Sequence, residues 1–352
     1  MIVAPAMLFA ATGVMLALPV TPALLELRRR EDASAIPIQQ HDGDIRNFAA
    51  SFRRYIAPLL PALEECRRAH ACETLPMQGA NAAFLAGILE ERGRMLLHEH
   101  GRAGALVLCA VPAATQPGSI FTGDLYVTDT LATGPGTVFR AVLSDRDILL
   151  GAAAKVMRWA HAEGSIYAAA GCEFFGRLSA EKAITLARGC RFERMRASRI
   201  VVARGEECPA SAAIPFPREL PVMLGSAGRH RSHRVIEIFE GSRHRGDLIS
   251  ERAIRIGRRS HVSGSLKSHG DTDIGEGTVI NGSAVSGRDL RIGSGCLLRG
   301  PIIAEGNVVV GAGAQVGSPS HPATISARRI ELAAEACVYG SVWAREYGVT
   351  GE

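Results

Sequence analysis

Residues Ile292–Gly300 read IGSGCLLRG, and closely similar stretches begin at Ile274 and at Val310, equally far before and after it. The stretch before it is IGEGTVING, and the stretch after it is VGAGAQVGS. In each copy a glycine follows an apolar residue, while most of the polar letters change. Repetition at a fixed interval is the sequence signature of stacked repeat architectures. The interval therefore indicates a solenoid before any single motif is considered.

Four sets of residues share this interval, and each set is expected to form one stacked row of the coil. The rows are Ile256, Ile274, Ile292 and Val310; Gly257, Gly275, Gly293 and Gly311; Ile254, Thr272, Leu290 and Val308; and Val262, Ile280, Leu298 and Val316. The rows continue to Ile330, Leu332, Val338 and Gly340 if four residues are inserted near SPSHP, 318–322.

A first array of rows lies upstream, with the same interval or one position less. Its rows are Leu131, Ile148, Ile166 and Ile184, and Phe139, Val156, Phe174 and Phe192. A strand residue advances about 3.3 Å, so about 18 residues trace a closed path of about 60 Å. The sequence thus predicts a mainly β protein built on a three-sided parallel β-helix, or β-solenoid, with about 18 residues per coil.

The N-terminal segment is apolar, because no charged residue precedes Glu26, and Arg28, Arg29 and Arg30 follow it directly. Residues 1–25 are long enough to cross a bilayer, which takes about 20 residues. The positive charge follows the apolar stretch, which favours an uncleaved transmembrane helix over a secretory signal peptide. The positive-inside rule then places the bulk of the chain in the cytoplasm. A buried helix of a soluble protein is the alternative interpretation.

The rest of the sequence divides into segments that differ in composition and in the pattern of apolar residues. Apolar residues at steps of three and four after Asp44 predict a helix, which Pro58 and Pro61 must bend or split. The predicted segments are an anchor over 1–25, a linker over 26–43, a helical segment with a short strand over 44–118, a first β-helix array over 119–203, an insert or linker loop over 204–245, a second array over 246–343, and a C-terminal tail over 344–352.

Composition and cysteine spacing argue against nucleic-acid and metal binding. The balance of 40 Lys+Arg against 35 Asp+Glu is too even for a nucleic-acid-binding protein, and the eight cysteines include no C-x-x-C pair. Three of them share one row with Ser260, Thr278 and Ala314, which predicts a narrow interior corner rather than a metal site; these are Cys172, Cys190 and Cys296. The basic residues of 229–234 and 243–245 form either a solvated loop or a contact with anionic lipid head groups.

The register of VSGSLKS, IGEGTVINGSAVSG and IGSGCLLRGPIIAEGNVVVG resembles that of the bactofilins, bacterial cytoskeletal proteins that form polymers. The similarity covers about 246–317 closely and 119–203 more loosely. It implies a right-handed β-helix that associates with further copies through its ends, without catalysis or cofactor. It also implies attachment to the bacterial inner membrane through residues 1–25 and a role in positioning envelope-building proteins. Two arrays, a helical segment and an insert depart from the family's pattern and could cover a sheet edge.

Hexapeptide-repeat acyltransferases are the alternative, because their left-handed coils have the same period. Hexads counted from Ile256 place apolar residues on two faces, but the third face carries Ser268, Ser286 and Ala304. Such enzymes need a general base, usually a histidine in a groove between subunits. The second array contains His261, His269 and His321, and His321, in the SPSHP insertion, is the best candidate.

Overall fold

The computed structural model describes residues 3–21, 44–77, 82–88, 93–97, 105–205 and 228–351. It divides into two units, residues 1–44 and residues 45–352. The first unit contains helix α1, Val3–Ala17. No helix of the described residues is both long enough and apolar enough to cross a membrane. The predicted linker 26–43 and the last residues of the predicted anchor, 22–25, lie outside the described residues.

The second unit begins with a helical segment, in which α2, Asn47–Ile56, is followed by a 3-10 turn, Ala57–Leu59, and α3, Leu60–Ala69. Pro58 lies in the first turn of the 3-10 segment and Pro61 in the first turn of α3, which confirms that the prolines split the helix. The apolar faces of α2 and α3 pack on the first array, with Phe52, Ile56 and Leu63 buried.

The rest of the second unit consists of short strands. The first fifteen are β1 Cys72–Pro76, β2 Ala82–Ala86, β3 Met95–Leu97, β4 Leu106–Cys109, β5 Ala113–Thr115, β6 Ile120–Val127, β7 Leu131–Ala132, β8 Val138–Ser144, β9 Ile148–Leu150, β10 Lys155–Ala162, β11 Ile166–Ala168, β12 Glu173–Phe174, β13 Arg177–Ala180, β14 Ala183–Leu186 and β15 Arg191–Val202. The second array contains β16 Arg229–Ser232, β17 Ile236–Ile238, β18 Arg243–Arg245, β19 Asp247–Ser250, β20 Ile254–Ile256, β21 His261–Ser263, β22 Leu266–Ser268, β23 Thr272–Ile274, β24 Val279–Ile280, β25 Ala284–Ser286, β26 Leu290–Ile292, β27 Leu297–Leu298, β28 Ile302–Ala304, β29 Asn307–Val310, β30 Gln315–Val316, β31 Ala323–Leu332 and β32 Cys337–Thr350.

These strands form a β-solenoid of about 13 turns. In the second array, successive coils stack as three parallel ladders, which begin at β16, β17 and β18 and continue through every third strand. Ile256, Ile274, Ile292 and Val310 are direct partners along one ladder and at most 4% exposed. The predicted stacked rows are therefore confirmed. Val308 pairs with Ile330, four positions beyond the regular interval, which confirms the predicted insertion.

The arrays extend beyond the predicted boundaries. Strands β16–β18 pair with β19–β21 at the regular offset of the coils, so residues 229–245 of the predicted insert form the first coil of the second array. Strands β2–β5 already belong to the first array, whereas the sequence predicts a helical segment with one short strand over 44–118; β4 is that strand. Residues 344–350 of the predicted tail, 344–352, lie in β32. Residues 206–227 of the predicted insert lie outside the described residues.

The two arrays meet at their C-terminal coils. Strand β15 pairs with β32 in antiparallel orientation at three places: around Phe192 and Gly348, around Met195 and Val342, and around Ile200 and Val338. We call this junction the seam. One continuous cluster of buried apolar side chains runs through both arrays. Each array thus covers the C-terminal sheet edge of the other, which satisfies backbone groups that a single array would leave unpaired.

The corners of the coil explain the rows of glycine and of small polar residues. A Cβ atom on Gly275 would lie 2.6 Å from the backbone nitrogen of Arg258 in the preceding coil, so only glycine fits. At the next corner position, the Cys296 thiol donates to the carbonyl of Gly275 at 3.1 Å, and the Thr278 hydroxyl donates to that of Gly257 at 3.0 Å. Burial raises the pKa of the Cys296 thiol to about 11, which keeps it a neutral donor.

Candidate functional site

The first coil of the second array, residues 229–245, is a sheet edge that we call the first-coil edge. Each of its three strands, β16–β18, pairs with one neighbour only among the described residues. The Ile236 amide donates to the Ala253 carbonyl of the next coil, and the Gly257 amide of that coil donates to the Ile238 carbonyl. The backbone groups of Ile236 and Ile238 therefore face the next coil. Because backbone groups alternate in direction along a strand, Glu237 between them points its amide and carbonyl away from the protein.

Large apolar side chains flank this edge. Phe239 is 80% exposed and Val235 is 41% exposed, whereas Ile236 between them is buried in the interior of the coil. A phenylalanine with so much free surface contributes nothing to the core, but it can contribute strongly to an interface, since aromatic side chains bury about 150–250 Å² each. The first-coil edge therefore combines unpaired backbone with exposed apolar surface.

The same coil carries a strong positive charge. Residues 229–245 contain five arginines and three histidines against two glutamates. Part of this charge is balanced, since Arg231 lies 3.2 Å and His233 lies 2.7 Å from the carboxylate of Glu251. Arg243 and Arg245, by contrast, form no ion pair within the described parts of the chain. The predicted basic cluster is thus an ordered, exposed part of the solenoid and not a loop.

His244 lies on the central position of β18 within this coil. Burial lowers its pKa, and the neighbouring charge of His230 lowers it further. The Nε2 atom of His244 is buried and has no hydrogen-bond partner in the described structure. Acidification below the ordinary range of histidine therefore adds positive charge to an edge that is already basic.

The N-terminal edge of the first array is partly covered. Strand β1 pairs with β2 in antiparallel orientation, from Cys72 opposite Ala86 to Pro76 opposite Ala82. Helix α3 packs against β2 as well, and Cys66 of that helix is buried. An antiparallel cap ends the parallel stacking of its ladder, so this end offers less unpaired backbone than the first-coil edge does.

The helical segment is held on the first array by a column of carboxylates that the sequence argument missed. Asp145, Glu163 and Glu181 follow one another at the interval of the coils, and Arg53 lies 2.6 Å from Asp145 and 2.7 Å from Glu163. Arg46 lies 3.0 Å from Glu181. Seven helical residues rise about 10.5 Å, close to the roughly 9.6 Å that two coil spacings span. Arginines seven residues apart therefore match carboxylates two coils apart.

His161 lies beside this column and forms, with Glu163 and Glu181, a group whose ligand atoms lie within 4.8 Å of one another. Its Nδ1 atom is 2.8 Å from the Ser179 hydroxyl, and its ring is 3% exposed. Histidine and carboxylate oxygens suit a divalent cation by composition. Both carboxylates, however, are already bound by arginines, so a cation would have to displace Arg46 and Arg53. These ion pairs hold the helical segment on the first array, and we call the group of Arg46, Arg53, Asp145, Glu163 and Glu181 the ionic dock.

The structure places the three candidate histidines of the second array at separate positions. His321 lies in the SPSHP loop, where its Nε2 atom is 2.8 Å from Arg299 Nη2 and its Nδ1 atom is 2.9 Å from Ser320 Oγ. Because a guanidinium only donates, the lone pair of Nε2 is committed to Arg299. His261 Nε2 lies 3.1 Å from the amide of Asn281, and His269 is exposed. A general base needs a free lone pair, which His321 lacks in this arrangement.

Comparisons with known proteins add no assignment to this geometry. No protein-family model matches the chain, and no curated protein or solved structure matches it either. Any function therefore has to be argued from the solenoid and its surfaces.

Proposed function

We propose that this protein is a non-catalytic scaffold of the bactofilin type that associates with itself through the first-coil edge. The distribution of sheet edges is the observation that supports the proposal. Both C-terminal edges are paired in the seam, and β1 covers part of the N-terminal edge of the first array. All three strands of the first-coil edge lack a second neighbour among the described residues. Unpaired edges are templates for pairing with another chain.

Attachment to the bacterial inner membrane is part of the same proposal. Residues 1–25 would form a single-pass anchor and leave the bulk of the chain in the cytoplasm, where envelope-building proteins would be its partners. The lack of charged residues before Glu26 supports this attachment, and so do the exposed apolar side chains of α1, among them Met7 and Met15. A right-handed coil remains the prediction that follows from the resemblance.

Contact through one identical edge on each copy produces an isologous pair. Burial of Phe239 and Val235 would favour the association of two copies. Repulsion between the arginines of β16 and β18 on the two copies would oppose it. The distance over which surface charges interact shortens from about 30 Å at 0.01 M salt to about 10 Å at 0.1 M. Self-association should therefore strengthen as salt is raised over this range, which is the reverse of an interface between opposite charges.

The proposal is tested by replacing Phe239 with lysine in the full-length protein, kept in a mild detergent. Phe239→Lys removes the exposed ring and adds a further positive charge to a basic edge, so we expect the paired species to disappear in sedimentation velocity. Ile303→Lys is the matched control, because Ile303 is 42% exposed but its strand, β28, is paired on both sides. An unchanged mass distribution for Phe239→Lys, or equal loss in both variants, would contradict the proposal.

A further inference from the structure

The first-coil edge carries two histidines at positions where the inner coils carry apolar side chains. His230 of β16 pairs with Leu248, and His244 of β18 pairs with Val262. Directly paired residues of neighbouring parallel strands present their side chains to the same face of the sheet. Both histidines therefore belong to interior rows, which continue through Leu248, Leu266, Ala284 and Ile302 and through Val262, Ile280, Leu298 and Val316. All of these continuing residues are buried.

The two rings reach solvent because they lie in the end coil of the array. His230 is exposed, and His244 is half-buried. In an isologous pair formed through the first-coil edge, the interior rows of the second copy would close over both rings. A neutral imidazole can be enclosed in this way at modest cost. A charged ring is costly to enclose unless a carboxylate pairs with it.

The carboxylates near the edge are already paired with other groups. The first two coils, residues 229–264, contain four of them. Glu237 is bound by Arg255 at 2.9 Å, and Glu240 is bound by Arg259. The other two are Asp247, 4.0 Å from Arg229, and Glu251, which contacts Arg231 at 3.2 Å and His233 at 2.7 Å. A proton on either inward ring would therefore have to compete for its carboxylate partner with an existing ion pair.

The charged groups that remain around the two rings are basic. On the first coil they are Arg234, Arg243 and Arg245, and on the second coil they are Arg252, Arg258 and His261. Burial lowers the pKa of His244, and the neighbouring charge of His230 lowers it further. The buried Nε2 atom of His244 has no acceptor in the described structure. Enclosure of the edge by a second copy would add the same basic groups again, and it would disfavour a proton on either ring still more.

We propose that protons control the self-association of this protein through His230 and His244. Two copies pair through the first-coil edge while both rings are neutral, and they separate when the rings are protonated. This inference rests on the proposed function, because it concerns the same edge and names what regulates it. It assigns the two histidines a role that an apolar residue at the same positions could not have.

Linkage gives the direction of the effect. The free copy takes up protons that the pair excludes, so the dissociation constant Kd of the pair should rise as pH falls. A histidine that titrates near the ordinary value of about 6.5 is neutral in only about one tenth of free molecules at pH 5.5. Each such ring that has to be neutral in the pair therefore raises Kd about tenfold at that pH. The lowered pKa of His244 moves its contribution to lower pH. We expect Kd to be at least about tenfold higher at pH 5.5 than at pH 7.5.

The test is sedimentation velocity of the full-length protein in a mild detergent, over a series of concentrations, at pH 7.5 and pH 5.5 and at the same 0.1 M salt. The double variant His230→Leu with His244→Val carries at both positions the residues of the next coil, Leu248 and Val262. It should associate at least as tightly as the wild type at pH 7.5 and lose most of the pH response. His269→Gln is the control, because His269 is exposed and follows β22, two coils away from the edge. It should keep the wild-type response.

The outcomes separate this inference from the proposed function. A pair that forms with the same Kd at both pH values, or more tightly at pH 5.5, would overturn the inference and leave self-association standing. Absence of any pair at either pH would refute both. A double variant that keeps the full pH response would assign it to other groups, such as His233, and would overturn the inference as well. Circular dichroism at pH 5.5 completes the test, since loss of β structure in step with dissociation would mean that acid unfolds the protein instead of separating folded copies.

Discussion

Adding one methyl group at Gly348 tests the seam directly. Gly348 of β32 pairs with Phe192 of β15, and Phe192 is completely buried. A Cβ atom on Gly348 would overlap the ring of Phe192, and no positive φ at Gly348 would by itself exclude alanine. The ring would therefore have to move within a packed interior. Overpacking of this kind costs about 1–3 kcal/mol, which we expect as the loss of unfolding free energy for Gly348→Ala.

Removing the ring should abolish that penalty. Phe192→Ala alone should cost about 3–5 kcal/mol, because it leaves a cavity in the core. In that background the methyl group at position 348 enters space that the ring has vacated, so the second substitution should cost almost nothing. The coupling energy between the two positions is then about 1–3 kcal/mol.

Urea unfolding of the four proteins, followed by circular dichroism, measures this coupling. Gly228→Ala is the control, because a Cβ atom there meets nothing within 4 Å and should change stability by less than about 0.5 kcal/mol. Additivity of the Gly348 and Phe192 substitutions within about 0.5 kcal/mol would mean that the two residues do not touch, and the antiparallel seam would have to be abandoned.

Two further substitutions test the interior and the ionic dock. Leu298→Lys buries an unpaired charge at a position that is 1% exposed, so it should prevent folding of the second array. Leu297→Lys, one residue away on the outer face, should be tolerated. Equal thermal melting of the two variants would contradict the inward orientation of Leu298. Burial lowers the pKa of His161 below its ordinary value of 6.5, so the unfolded chain takes up the proton first as pH drops. The free energy of unfolding should therefore fall below pH 6.5, and His161→Gln should flatten this decline. An identical pH profile of stability in the two proteins would refute the role given to His161.

The stacking of the coils could be predicted because every coil presents the same positions to the interior. Ile274 and Ile292 occupy one inward position, and any charged replacement there would be buried without a partner. The number of residues from one to the next therefore equals the number of residues in one turn of the coil. The insertion near SPSHP could be located for the same reason, since the register before and after it is fixed by buried residues.

The first coil of the second array escaped prediction because it has neighbours on one side only. Its strands carry arginine and histidine where inner coils carry valine or leucine: His244 pairs with Val262, and His230 pairs with Leu248. An end coil needs fewer apolar residues, so the row pattern fades where the array begins. The ionic dock was missed for a different reason. Its carboxylates follow the interval, but they lie on the outer face, where periodicity alone does not indicate a partner.

The seam could not be read from the sequence at all. Residues of β15 and β32 fit the ordinary rows, and nothing in either strand distinguishes a parallel from an antiparallel neighbour. Cross-seam contacts of Arg194 with the Trp343 ring, at 4.5 Å, and of Arg191 with the Tyr347 ring, at 4.7 Å, depend on pairing between distant segments. Only the folded chain brings these residues together.

The direction of the seam has a consequence for how copies can meet. Two arrays stacked head to tail would leave one N-terminal and one C-terminal edge, and copies could then add without limit in one direction. The antiparallel seam uses both C-terminal edges and leaves two N-terminal ones, of which β1 partly covers the first. If two copies associate through their first-coil edges, as we propose, like edge meets like edge and the arginines of one copy face those of the other. In that arrangement the charge on the edge opposes the association that its unpaired backbone and the exposed Phe239 favour.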